Sequence, residues 1–126
     1  MTDPSANPLV FLAATDLMMC SSVGGAARVA GAEFRSGDAL AAAATVTEHP
    51  QTLLLIDLGY AREEISVWAG QFSEAVLARA VAFGPHVHTQ LLQLARDAGV
   101  GQVISRGQFS AGMGRIIEDY LDSLEA

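Results

Sequence analysis

The sequence predicts an α/β fold: a five-stranded parallel sheet in the order 2-1-3-4-5, with helices on both faces. Two observations carry that prediction. The first is the run Thr52-Leu53-Leu54-Leu55-Ile56, which ends abruptly in Asp57 and is followed by Leu58-Gly59. A short, unbroken apolar run bounded by turn residues suits a strand covered on both faces, as at the centre of a parallel sheet. The second is the alternation of such runs with amphipathic stretches, giving βα units of about 25 residues each with no repeat between them. In so short a chain, 2-1-3-4-5 is the natural strand order.

The elements follow in sequence. Leu9–Ala14 reads as a first buried strand ended by Thr15-Asp16. Val23, Ala26, Ala27 and Ala30 then recur at helical spacing, with Ser21-Ser22 available to cap and Gly31 to stop. Ala32–Arg35 is a short second strand, and Ser36-Gly37-Asp38 opens a helix with Leu40, Ala43, Ala44 and Thr47 on its inner face. His49-Pro50 closes that helix. After the Asp57 strand, Ile65, Trp68, Ala69 and Phe72 form the stripe of an amphipathic helix. Leu77–Phe83 reads as a fourth strand ended by Gly84-Pro85, and Leu91 to Ala98 as a helix stopped by Gly99. Val100–Ser105 is the fifth strand. Met113, Ile116, Ile117, Tyr120, Leu121 and Leu124 give the last helix an unbroken apolar stripe.

The chain has 126 residues, enough for one compact core, placed at 9–124 with 1–8 as a flexible N-terminus. At 51% hydrophobic and 17% charged it is a poor candidate for disorder. A net charge of −7 without an Arg or Lys stripe argues against nucleic-acid binding. No apolar run approaches the roughly 20 residues of a membrane span. The start, with its acid and prolines, is unlike a signal peptide, and the single Cys20 suits a reducing compartment. The expectation is a cytoplasmic protein.

In this topology Thr15-Asp16, Asp57-Leu58-Gly59, Phe83-Gly84-Pro85 and Ser105-Arg106 collect at the carboxyl edge of the sheet, where open α/β sheets bind ligands. Asp57 is the key residue, because a carboxylate beside a dry core is costly unless something pairs with it. Loop N–H groups or Arg106 are available partners.

Other features carry less. His86 and His88 have the i, i+2 spacing of two zinc ligands on a strand, but further ligands are lacking nearby and a loop explains them better. The glycines at 24–25 and 107 match neither phosphate-loop pattern. Ser21 and Ser22 have no base beside them, Cys20 reads as a buried thiol, and Met18-Met19 as packing residues. The D-x-D-x-T of Asp-based phosphatases and the D-x-H-x-x-G of cobalamin-binding domains are absent.

From Leu9 to about Leu124 the sequence resembles the receiver domain of bacterial two-component response regulators. The resemblance lies in the βα order, the third-strand Asp57, the Ala98-Gly99-Val100 turn and the closing amphipathic helix. It implies a flavodoxin-like three-layer fold, with Asp57 in the phosphoacceptor position and two acids after strand one holding Mg²⁺. It further implies a Ser or Thr after strand four and a Lys-Pro after strand five. The match is partial. Thr15-Asp16 keeps one acid of the pair, Phe83-Gly84 stands where the hydroxyl belongs, and Ser105-Arg106 replaces Lys-Pro, with Arg106 offering a cation from the neighbouring position.

Asp16 and Asp57, with the Gly59 carbonyl by analogy, form a weak Mg²⁺ site at most, so the expected cofactor is none or weakly bound Mg²⁺. The sequence therefore reads as an atypical, pseudo-receiver: a stand-alone, non-enzymatic signalling module. It would act through a protein partner, a histidine kinase or an output protein, or as a homodimer. The alternatives are a functional phosphoacceptor using Asp57 and a small-molecule-binding domain of flavodoxin-like topology. By the same resemblance the contact surface is the segment from His88 to Gln93 with the outer face of the last helix, Glu118, Asp119 and Asp122.

Overall fold

In a computed structural model that describes residues 7–124, five parallel strands form one sheet in the order β2-β1-β3-β4-β5. They are β1 (Leu9–Ala13), β2 (Glu33–Gly37), β3 (Leu53–Asp57), β4 (Val81–Gly84) and β5 (Gln102–Ser105). Most of the segment expected to be a flexible N-terminus lies outside the described residues. Alternation along the central strands divides the core in two. Phe11, Ala13, Leu54, Ile56 and Ala82 face one layer, and Val10, Leu12, Leu53, Leu55, Val81 and Phe83 face the other. Every residue of β1, β3 and β4 is buried, as strands covered on both faces require. Each large aliphatic side chain removed from water there contributes about 1.5–3 kcal/mol.

The second of those faces is covered by α1 (Leu17–Ala30) and α7 (Arg106–Leu124), the first by α2 (Ala39–Glu48), the segment 58–72, α5 (Glu74–Arg79) and α6 (Thr89–Asp97). Helix starts are set by side-chain caps. Asp16 Oδ1 accepts from the Met18 and Met19 N–H groups at 2.9 and 3.3 Å, so α1 starts four residues before the expected Ser21-Ser22 cap. Asp38 caps α2 through the Ala41 N–H at 2.9 Å, as expected. The inner face of α2 is Ala42, Thr45 and Val46, while Leu40 is 76% exposed. In a run of alanines the apolar period is too weak to fix the helix phase, and the cap sets it instead.

Two further expectations give way. Leu77-Ala78-Arg79 closes α5 rather than opening β4, because Ser73 Oγ accepts from the Val76 N–H at 3.2 Å and starts a helical turn. An apolar run this short does not by itself distinguish strand from helix. Gly101 is fitted against the end of this helix: its N–H donates to the Leu77 carbonyl at 2.8 Å, and the Ala78 carbonyl leaves no space for a Cβ. The stripe Ile65, Trp68, Phe72 is buried, but it is not one helix. Short α turns, α3 (Leu58–Ala61) and α4 (Ile65–Trp68), alternate with 3₁₀ turns, and Arg62 breaks the chain between them at φ 53°.

Tyr120 fastens α7 to the first strand. Its hydroxyl lies 3.2 Å from both the N–H and the carbonyl oxygen of Leu9. Burial raises its pKa above 10, and the hydrogen bond to Leu9 only partly opposes this. The folded state therefore holds this proton more tightly than the unfolded chain, and the stabilisation is present below pH 10 and lost as pH rises through the folded-state pKa. The basic side chains number seven and all are arginine, so no lysine titrates in the same window. Tyr120→Phe is expected to cost about 1 kcal/mol at neutral pH. It should also flatten the fall in urea midpoint as pH rises above about 10. An unchanged alkaline fall in the variant would remove Tyr120 as its source.

Candidate functional site

The carboxyl ends of β1, β3, β4 and β5 meet as the sequence expected, and the centre of that edge is an ion pair. Asp57, the last residue of β3, is 3% exposed. Its Oδ1 accepts from the Gly59 N–H at 2.9 Å and from Arg106 Nη2 at 3.0 Å, and its Oδ2 accepts from the same Nη2 at 2.9 Å. Both oxygens of the buried carboxylate are thus satisfied within the chain, which is what a charge beside a dry core requires. The carboxylate also caps α3 through Gly59. Asp16 shares the cation, its Oδ2 lying 3.8 Å from Arg106 Nη1 while its Oδ1 caps α1.

Arg106 reaches Asp57 because of where α7 begins. Ser105 Oγ accepts from the Gln108 N–H at 3.1 Å, and Gln108 Oε1 accepts from the Ser105 N–H at 2.9 Å. This reciprocal capping box places Arg106 at the first position of the helix, over the end of β3. The S-x-x-Q spacing is visible in the sequence, and the sequence reading did not use it. Beneath the guanidinium, Arg106 Cζ lies 5.8 Å from the centre of the Phe83 ring, within cation–π range. Phe83 in turn stacks on Phe109 with ring centres 4.0 Å apart and planes 4° apart. Phe109, one turn after the cap, is a second residue the apolar pattern did not single out.

Two glycines are shaped by this packing. A Cβ on Gly59 would lie 3.1 Å from Asp57 Oδ1 and 3.6 Å from Arg106 Nη2. A Cβ on Gly84 would lie 3.1 Å from Cβ of Leu58, so a side chain there requires Leu58 to give way. Thr15, at the end of β1, is exposed. Asp16, Asp57, Gly59, Phe83, Gly84 and Arg106 are therefore brought together, and Ser105 turns to the cap. His88, at the head of α6, is exposed without a side-chain capping bond. Glu118, Asp119 and Asp122 lie on the outer face of α7, where Asp119 pairs with Arg115 at 2.9 Å.

No protein-family model matches the chain, and no curated protein matches it. A search of solved structures finds similarity to the crystal structure of a response regulator receiver domain from Rhodospirillum rubrum, at TM-score 0.67 and 14% identity. The match covers 90% of this chain and 94% of that one. The fold is that of a receiver domain. The strand order and the helices on both faces agree with it.

The Mg²⁺ that a receiver resemblance implies does not fit the residues present. Hard cations need free carboxylate oxygens. Here Asp57 gives both of its own to Arg106, and Asp16 gives one to α1. Among the described residues, no three His, Cys, Asp or Glu side chains gather to hold a metal.

Gly84→Ser should fail to supply a working hydroxyl and should destabilise by about 1–3 kcal/mol, since its Cβ must displace Leu58. Urea denaturation measures this, and an unchanged midpoint would mean that Leu58 yields freely.

Proposed function

We propose that this chain is a non-enzymatic signalling module of receiver fold that acts by binding a protein partner, without phosphoryl transfer to Asp57. The observation that carries the reading is the Arg106–Asp57 pair. The nucleophile position is held by a guanidinium on both oxygens. Phosphoryl transfer to a carboxylate needs a free oxygen, a hard cation on the phosphoryl group and a positive group for the product. The cation is present, but it is spent on the acceptor itself. A side chain at Gly84 requires Leu58 to give way.

What is left for function is surface. The flank of α7 beside the edge strand β5 forms an open groove of about 460 Å³ whose lining includes Val81, Gln102, Ile104, Arg115, Ile116 and Asp119. An apolar floor with charged rims is the anatomy of a protein contact. Asp119 is part of that lining, and Glu118 and Asp122 are exposed on the same helix. The partner is a second copy, a histidine kinase or an output protein, and the compartment is the cytoplasm.

Two experiments test the two halves. Wild-type protein incubated with acetyl phosphate and Mg²⁺ should show no phosphoryl mass gain. Asp119→Arg/Asp122→Arg should weaken self-association or partner capture in light scattering and pull-downs. These exposed changes should alter stability by less than about 0.5 kcal/mol each. A mass gain that disappears in Asp57→Ala would put phosphoacceptor chemistry first. Unchanged association would move the interface to another face.

A further inference from the structure

We infer that the free edge of β2 is a docking surface for a second copy of this chain, joined antiparallel about a two-fold axis at Phe34. β2 is an outer strand of the sheet, and β1 is its one neighbour there. The Glu33 N–H donates to the Pro8 carbonyl at 2.9 Å, so Glu33, Arg35 and Gly37 turn their backbone groups to β1. The alternate residues of a parallel ladder face the other way. The N–H and carbonyl groups of Phe34 and Ser36 therefore point outward, without a protein partner among the described residues. Proline, lysine and bulges commonly keep sheet edges apart. β2 has no proline and no lysine, and its register with β1 runs unbroken from Glu33 to Gly37.

The side chains choose both the partner and the register. Glu33 and Arg35 are exposed on one face of the strand, and among the described residues neither takes part in an ion pair. With Phe34 opposite its own mate, the copies exchange both Phe34 N–H···O=C bonds. Glu33 of each copy then stands opposite Arg35 of the other, at a non-hydrogen-bonded position where facing side chains come closest. Moving the axis one residue, to Arg35, would set two guanidiniums against each other. The charge balance matters because the chain carries −7, and two copies repel unless the contact itself is neutral. β2 brings one acid and one arginine, whereas the outer face of α7 brings Glu118, Asp119 and Asp122 against Arg115. The axis stands perpendicular to the sheet and keeps its faces matched. On the α1 face the Phe34 ring lies over Gly24, where a Cβ would come within 3.1 Å of it, so the two rings meet beside the two α1 helices. Val29, near the end of α1, and Leu40, near the start of α2, are 91% and 76% exposed. These apolar side chains flank the strand in the chain and widen the seam toward the roughly 1,000 Å² that a stable dimer needs. β2 is the edge opposite β5, so this contact leaves the α7 groove open to a partner of another kind.

Sedimentation velocity over a concentration series tests the inference, and wild type should show a concentration-dependent dimer. Arg35→Glu and Glu33→Arg, each alone, set like charges against each other at both ends of the seam and should weaken it at least about tenfold. Both positions are exposed, so urea midpoints should stay near that of wild type. Mixed in equal amounts, the two variants should associate again, because every acid then faces an arginine. The double variant Glu33→Arg/Arg35→Glu should dimerise like wild type. A wild type that stays monomeric to about 1 mM would overturn the inference. So would a dimer indifferent to the single reversals, or single variants that fail to associate on mixing. A dimer that dissociates with Asp119→Arg/Asp122→Arg and ignores the β2 reversals would also overturn it, seating the second copy on α7 and leaving the proposed function standing.

Discussion

A carboxylate at the end of the central strand, with almost no access to water, constrains everything around it. Left alone, the charge on Asp57 would cost several kcal/mol. The chain meets that cost with one backbone N–H from Gly59 and one guanidinium from Arg106. The first requires the chain to turn into α3 directly after β3. The second requires α7 to start at Arg106, where the Ser105–Gln108 capping box starts it. The stacked Phe83 and Phe109 rings then support the guanidinium from below. Local capping, aromatic packing and charge neutralisation thus agree on one geometry.

That geometry separates fold from chemistry. The sheet order and layers are those of a receiver, and a solved receiver domain overlays most of the chain. The pocket at the same edge is arranged for self-satisfaction. Its acids face an arginine, its fourth-strand end is a glycine pressed on Leu58, and its remaining polar groups cap helices. Asp57, Arg106 and Gly84 are each held by contacts within the chain, so this part of the edge is a packed structure.

The fold was largely legible because its signals are periodic. Continuous apolar runs at Leu9 and Leu53, separated by amphipathic stretches, fix a parallel sheet. Legibility failed where periodicity was weak. The alanines of α2 carry no phase, so its inner face was misplaced by two residues. Leu77-Ala78-Arg79 is apolar enough for a strand, and only the Ser73 cap shows that it is helix. At the site, Asp57 was marked by its contrast with the run before it, and Arg106 was recognised as an available cation. The step from availability to contact depended on the S-x-x-Q box and on Phe109. The box was in the sequence but unread, and the ring stack is a tertiary fact that no local pattern encodes.

The claim that the Asp57–Arg106 pair organises this edge is tested most directly by a double-mutant cycle on Asp57→Asn and Arg106→Gln, read by urea denaturation. Asparagine can still accept the Gly59 N–H without bringing a charge, whereas Arg106→Gln strands a buried anion. The account predicts that Arg106→Gln alone costs about 3 kcal/mol. It predicts that the double variant is little worse than Asp57→Asn, with a coupling of at least about 1.5 kcal/mol. Costs that add to within about 0.3 kcal/mol would contradict it.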